Sequence, residues 1–353
     1  MQMKSSLTRR NFVITSVMSG AALSIAGIGV SAEKENIPAQ GNRVGMIGLD
    51  TSHCIAFTKA LNDPKAGPEL GGYKVVAAFP TAGSSDLPSS ISRLADITQQ
   101  VRGEGVEIVN SIEELLNRVD VVILTTVDGR KHLEQAIPVI KAGKRMFIDK
   151  PLAASLTDAL TIVDTSKRFN VPLFSSSSLR YIGGIKEVEE GKIGKVVGAD
   201  TYGPAKIEKT HPDLFWYGIH GIEALFALMG VGCEKVVRVN TPDTDMVVGT
   251  WKDGRIGSYR GTRSGKGNFG GIVFGEKGDQ VLGEYKGYSI LLEEIIKFFR
   301  SGIVPVSAEE TLEIIAFMEA ADESKLKGGI PVDLQTIMGR GKNSSMNSDK
   351  ITG

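Results

Sequence analysis

The sequence predicts an α/β protein in two parts: a doubly wound parallel sheet, then an α+β domain built on an open, largely antiparallel sheet. Three observations predict it. Through the first half, short apolar runs alternate with helically spaced apolar positions. Through the second, β-rich runs are broken by turn residues. A chain of 353 residues, 41% of them hydrophobic, has material for two cores.

Charge narrows the class of ligand. Forty-one basic residues balance 41 acidic ones, so no overall field favours nucleic acid or an anionic membrane, and a small neutral or weakly charged ligand is expected. Cys54 and Cys233 lie far apart without metal or CxxC spacing and read as two buried free thiols. With four histidines in the whole chain, no metal site is expected.

The first forty residues read as an address. Thr8-Arg9-Arg10-Asn11-Phe12 is a twin arginine followed by an aromatic, and a mildly apolar run from Val13 to Val30 comes next. Residues 1–32 are expected to be a twin-arginine signal peptide, cleaved after Val30-Ser31-Ala32, with 33–42 a polar linker. Serines and glycines dilute the run, so no membrane span is expected after cleavage. The mature protein is then periplasmic, and little free nicotinamide cofactor circulates there. Redox chemistry in that compartment needs a tightly held, internally recycled cofactor.

Domain boundaries follow from the pattern: 43–170 for the parallel sheet, 171–334 for the second domain, and 335–353 as a disordered polar tail containing Asn343-Ser344-Ser345. Strands are expected at Arg43–Leu49, Tyr73–Phe79, Asp120–Thr125 and Arg145–Ile148, with helices at Ile55–Leu61, Ile112–Leu116 and His132–Lys141. In such sheets ligands bind beyond the carboxyl ends of the strands. The loops after Gly48, Phe79, Thr126 and Ile148 therefore face one crevice. In the second domain, runs at 195–202, 234–240, 245–251 and 255–262 read as strands, with Lys252-Asp253-Gly254 a hairpin turn. Helices are expected at 288–300 and 308–327, the second packing back on the first domain.

The first loop should carry the glycines that let a dinucleotide's diphosphate approach a helix amino terminus. It reads Gly48-Leu49-Asp50-Thr51-Ser52-His53, keeping the first glycine of GxGxxG and placing Asp50 and His53 at the other two positions. A carboxylate beside a diphosphate is unfavourable by about 1 kcal/mol at solvent-like dielectric. Asp50 or Thr51 equally serves as a helix cap. No acidic residue ends the second strand, where Phe79-Pro80-Thr81-Ala82-Gly83 stands, so NAD and NADP both remain open.

Beyond this loop the chain resembles a known family. Asp120-Val121-Val122-Ile123-Leu124-Thr125-Thr126, His132, Asp149-Lys150-Pro151, Arg180-Tyr181 and Gly218-Ile219-His220-Gly221-Ile222-Glu223 resemble, in order and spacing, the Gfo/Idh/MocA (glucose-fructose oxidoreductase/inositol dehydrogenase) oxidoreductases. The resemblance implies a Rossmann-type first domain, with Lys150 beside the nicotinamide and His220 helping to handle the proton. It further implies cofactor contacts from Gly48, Asp50, Thr51, Ser52, His53, Thr125, Thr126, His132, Asp149 and Lys150, and substrate contacts from Arg180 and Tyr181. It also implies a homo-dimer or homo-tetramer formed through the second sheet. Many relatives carry an aspartate four residues before the histidine; Trp216 stands there. Tyr217 or Glu223 is then the candidate acid, and Trp216 and Tyr217 are candidates to face a sugar ring.

The sequence thus points to an NAD(P)-dependent oxidoreductase acting on a secondary hydroxyl of a sugar, cyclitol or glycoside. Lys150, His220 and Tyr217 carry the chemistry. Two competing readings are a redox-neutral hydrolase or epimerase on the same fold, and a carbohydrate-binding protein with a degenerate cofactor site.

Overall fold

The computed structural model describes residues 41–352, with side chains to 346. The expected signal peptide, and the linker before residue 41, lie outside the described residues. No helix among those described is long and apolar enough to cross a membrane.

The first sheet consists of β1 (Arg43–Ile47), β2 (Lys74–Phe79), β3 (Glu107–Ile108), β4 (Val121–Leu124), β5 (Met146–Asp149) and β6 (Leu173–Ser176). All pairs are parallel, in the order β3-β2-β1-β4-β5-β6. The connecting helices are α1 (Ser52–Asn62), α2 (Pro88–Gly103), α3 (Ile112–Leu116), α4 (His132–Lys141) and α5 (Leu156–Phe169). Every residue of β4 and β5 is buried, as expected of central strands with helices on both faces. The order reverses between β1 and β4, which opens a crevice at their carboxyl ends. The sequence reading did not place α2, α5, β3 or β6. Ile91, Leu94, Ile97 and Val101 do carry α2's helical spacing.

Gly48 sits where β1 leaves the sheet, at φ +85°, a left-handed conformation that favours glycine. A Cβ there would lie 2.4 Å from the Thr126 amide nitrogen, so the loops after β1 and β4 touch backbone to backbone. The glycine is required by the scaffold itself, quite apart from any ligand.

The second sheet follows α6 (Ile185–Glu189). Its strands are β7 (Val196–Pro204), β8 (Cys233–Asn240), β9 (Thr244–Trp251), β10 (Ile256–Thr262), β11 (Gly270–Gly275), β12 (Gly278–Leu282) and β13 (Val332–Asp333), in the order β12-β11-β7-β10-β9-β8-β13. Only β7 and β10 run parallel among the described pairs. Between β7 and β8 come α7 (Asp213–Trp216) and α8 (Ile219–Met229). Helix α8 lies so close to the sheet that a Cβ on Gly221 would meet the Tyr259 ring at 2.2 Å. The opposite face is open, and by register it presents exposed Tyr202, Val239, Ile256 and Val281.

Two apolar cores hold the halves together. One joins Val44, Met46, Ile123 and Phe147 to Phe57 of α1 and to Ile295, Phe298 and Phe299 of α9 (Ser289–Ser301). The other runs from Ile47, Leu124 and Ile148 through α5 and α8 into α10 (Ala308–Leu326) and the inner face of the second sheet. Both late helices therefore reach the first sheet, where only the second was expected to. The Arg145 guanidinium donates to the Phe299 carbonyl at 2.6 Å, and Glu319 accepts from the Leu156 amide at 2.7 Å. Cys54 and Cys233 are buried free thiols, and burial pushes each up to about 12.

The segment expected to be a disordered tail is instead helix α11 (Leu334–Thr352). Ile337 is buried, Gly341 lies against Leu156 and Leu160, and Ser345 reaches Thr161 at 3.4 Å. The polar composition hid an apolar stripe that α5 supplies with a partner.

Gly48→Ala should destabilise the protein by about 2 kcal/mol or more, since both the backbone conformation and the space oppose a side chain. Urea unfolding followed by circular dichroism measures it; an unchanged midpoint would show that the two loops do not touch as described.

Candidate active site

Beyond the carboxyl ends of β1, β4 and β5 lies a cleft of about 500 Å³, facing the second sheet. From the first half it is lined by Thr51, Ser52, His53, Thr126, Asp149 and Lys150, and from the second by Lys206, Trp216, Tyr217, His220, Phe269, Tyr285 and Tyr288. Segments far apart in sequence thus converge, and Lys150, His220 and Tyr217 line one cleft.

The cleft floor is built on one buried pair. Asp149, the last residue of β5, accepts a hydrogen bond from His53 Nδ1 at 2.5 Å, and its other oxygen accepts from the Lys150 amide at 2.9 Å. Burial alone would raise the Asp149 carboxyl. Electrostatic attraction and the hydrogen bond to His53, with the Lys150 ammonium, outweigh it and hold the group at about 2. The His53 ring also packs 4.4 Å from the Tyr288 ring. Lys150 comes next in the chain, joined to Pro151 by a cis peptide. Among the described residues its ammonium has no hydrogen-bond or ion-pair partner, and it lines the cleft.

His220 projects from the first turn of α8. Its Nδ1 lies 2.6 Å from Ser177 Oγ, and its ring stands edge-on to Tyr217 at 5.1 Å. Burial, then the Lys150 ammonium, depress this imidazole well below its usual range, so it is neutral at neutral pH. Tyr217 is half-buried with its phenol raised by burial, and Lys206 Nζ lies 5.9 Å from its ring centroid. Trp216, in the place of the relatives' aspartate, packs 4.8 Å from His211 and lines the same wall. Glu223 does not supply the missing acid. It is buried, accepting from Arg180 Nε at 2.7 Å and from Ser176 Oγ at 3.0 Å.

Several predicted contacts lie elsewhere. Arg180 is spent in a buried pair with Glu223 and Glu310, and Tyr181 is packed against the first core, so neither lines the cleft as expected. His132 is a clamp: Nε2 meets the Thr126 carbonyl at 2.8 Å and Nδ1 the Pro151 carbonyl at 3.0 Å, so it braces the loops from below. Thr125 donates its hydroxyl to the Gly48 carbonyl at 2.7 Å. Asp50 is fully buried, accepting from the Val127 amide at 2.9 Å and Ser90 Oγ at 2.6 Å. Burial raises its carboxyl, and its side chain lines neither cleft described here, which removes the expected conflict with a diphosphate. Thr51 caps α1 by accepting from the His53 amide at 3.2 Å.

The arrangement fits a nicotinamide dinucleotide. Thr51 and Ser52, at the amino terminus of α1, open on the cleft, a favourable end for phosphate. A second cleft of about 410 Å³ lies at the ends of β2 and β4, lined by Phe79, Thr81, Gly83, Ser84, Gln135 and Pro138. Thr126 borders both clefts, so a two-ended ligand can occupy the pair.

Sequence reasoning missed the rim. Buried Asp128 accepts from Ser84 at 2.5 Å and from Arg130, and pairs with His211 at 3.0 Å. Burial would raise its carboxyl, but these donors hold it far below the carboxylate range. Arg130 continues to Asp86 and to the Thr210 carbonyl. The loops after β2, β4 and β7 are thereby tied across the mouth. Phe269, Tyr285 and Tyr288 were also missed, although the scarcity of aromatics (6% of residues) could have singled them out.

Fold and site together define a two-sheet α/β scaffold with a dinucleotide-type crevice and a lysine–histidine cleft. Residues 43–176 match the Gfo/Idh/MocA family model, the oxidoreductase family with an NAD-binding Rossmann fold. The chain is 31% identical over 99 residues to the 1,5-anhydro-D-fructose reductase of Ensifer adhaerens, covering 27% of this chain and 30% of that protein. It is 24% identical over 223 residues to the inositol 2-dehydrogenase of Salmonella typhimurium, covering 60% of each. These two matches span less than two thirds of either relative's length. In fold, it is similar to scyllo-inositol dehydrogenase from Lactobacillus casei, solved with bound NAD(H) and scyllo-inositol: TM-score 0.64, 17% identity, 83% of this chain and 99% of that one.

Asp149 is held below its unfolded value, so its contribution is present above about pH 4 and is lost as pH falls toward 2, on the order of 2 kcal/mol. Asp149→Asn should therefore start less stable at pH 6 and lose less between pH 5 and pH 2.5. Denaturant unfolding across that range tests it, and parallel pH profiles would contradict the pairing.

Proposed function

We propose that this protein is an NAD(P)-dependent oxidoreductase that acts on a secondary hydroxyl of a sugar, cyclitol or glycoside. One observation carries the reading: unpartnered Lys150 and neutral His220 face one cleft beside the amino terminus of α1. Thr51, Ser52 and Thr126 would hold the cofactor, with the cleft around Phe79 and Gln135 taking its far end. When bound, the nicotinamide supplies a hydride acceptor.

This chain's own residues do the rest. His220, kept neutral by burial, accepts the hydroxyl proton, and Ser177 fixes its ring. The Lys150 ammonium, held next to the anchored Asp149, orients the hydroxyl oxygen and opposes charge that develops on it. Trp216, Tyr217 and Phe269 offer apolar faces for the C–H side of a sugar ring, and they exclude water.

Inositol and anhydrofructose as the substrates of the relatives support a polyol rather than a charged metabolite. The twin arginine supports export to the periplasm, and with it a cofactor retained through each cycle. Exposed Tyr202, Val239, Ile256 and Val281 support a homo-oligomer through the second sheet.

Lys150→Ala should stay folded and retain nucleotide, yet lose turnover by about 100-fold or more. Nucleotide released on denaturing the purified protein, cofactor titration, and turnover on cyclitols and glycosides measure it. Absence of bound nucleotide together with no binding on titration would remove the oxidoreductase reading.

A further inference from the structure

The cleft contains a second acid/base group that the oxidation does not use. Resting on the oxidoreductase reading, we propose that His53, held by Asp149, is a second general base. It removes a proton from carbon beside a carbonyl, so the site also enolises cyclic keto-polyols.

The geometry is that of an oriented base. Asp149 is ionised and can only accept, so His53 Nδ1 carries the proton in their 2.5 Å hydrogen bond. That assigns the cleft-side role to Nε2, which has no hydrogen-bond partner among the described residues although the side chain is only 10% exposed. Packing against Tyr288 at 4.4 Å and Phe57 at 6.0 Å fixes the ring plane. A buried carboxylate that locks the tautomer and turns the other nitrogen to the reacting group is how a histidine base is built.

Purely structural use of the pair would not require an open nitrogen in the same cleft as Lys150 and His220. His53 also occupies the third glycine position of the fingerprint, where a side chain is least expected. A scaffold that needed only close helix packing would keep glycine there.

The step balances within the site. The C–H bond next to the carbonyl breaks as N–H forms at Nε2. Its electron pair becomes the new carbon–carbon double bond, and the carbonyl pair moves to oxygen as an enolate opposed by the Lys150 ammonium. Return of the proton restores the ketone. Two bases thus divide the work, His220 on oxygen and His53 on carbon. The substrate class narrows to polyols whose ketone has a hydrogen on the neighbouring carbon.

The test incubates the purified holoprotein with 2-keto-myo-inositol in deuterated buffer with reduced nicotinamide cofactor. Deuterium at the neighbouring carbon is followed by NMR and ketone reduction by absorbance. The readout is the ratio of carbon deuteration to reduction. His53→Gln should lower that ratio by about 100-fold, whereas His220→Gln should not lower it. Asp149→Asn should lower it less than His53→Gln, because it acts through the histidine. Circular dichroism confirms that each variant is folded. Reduction without deuteration in the unaltered protein, or an unchanged ratio in His53→Gln, overturns the second base and leaves the oxidoreductase standing. Neither deuteration nor reduction overturns both.

Discussion

The hydrogen-bonded pair of Asp149 and His53 is the constraint on which the site depends. It bridges the carboxyl ends of β5 and β1 across the end of β4, and so sets the distance between two loops that no sheet hydrogen bond joins directly. A buried carboxylate without its partner would be strongly unfavourable, and an imidazole alone at the head of α1 would have no reason to hold one orientation. Because Lys150 follows Asp149 immediately, anchoring the aspartate anchors the root of the lysine. The ammonium is then left with the cleft as its surroundings.

Around this pair the fold spends its buried polar groups on bracing loops. His132 joins the loop after β4 to Pro151, Asp50 joins the head of α1 to α2 and the Val127 amide, and Asp128 gathers donors from three rims. Each satisfies backbone or side-chain donors that burial would otherwise leave unpaired. Lys150 and His53 line the cleft, and neither Lys150 Nζ nor His53 Nε2 has a hydrogen-bond partner among the described residues.

Much of the architecture was legible from pattern. Ile112–Leu116 and His132–Lys141 were read with the bounds the structure has, since Ser111 caps the first and a clear apolar stripe marks the second. The turn at 252–254 was legible from its glycine. The carboxyl-terminal helix was not. Its polar surface reads as tail, and only α5, nearly two hundred residues earlier, reveals that Ile337 and Gly341 have somewhere to go. At the site, Lys150 and His220 were legible from Asp149-Lys150-Pro151 and Gly218-Ile219-His220, whereas Tyr217 was named only as a substitute for the aspartate that Trp216 replaces. Arg180 was misread because sequence order cannot say which way a side chain turns, and Glu223 was waiting for it.

The sequence by itself determined the alternation of strands and helices, the lysine at the end of the fifth strand and the loss of two fingerprint glycines. Each of these is a local property of residue type and spacing. Only the tertiary structure decided what the replacements do: Asp50 turns down into a buried hydrogen-bond network, and His53 turns to Asp149 with one nitrogen left for the cleft. The physical reason is that a polar side chain's role depends on which partner burial brings within hydrogen-bonding distance. For these two residues that partner lies 40 and 96 positions away.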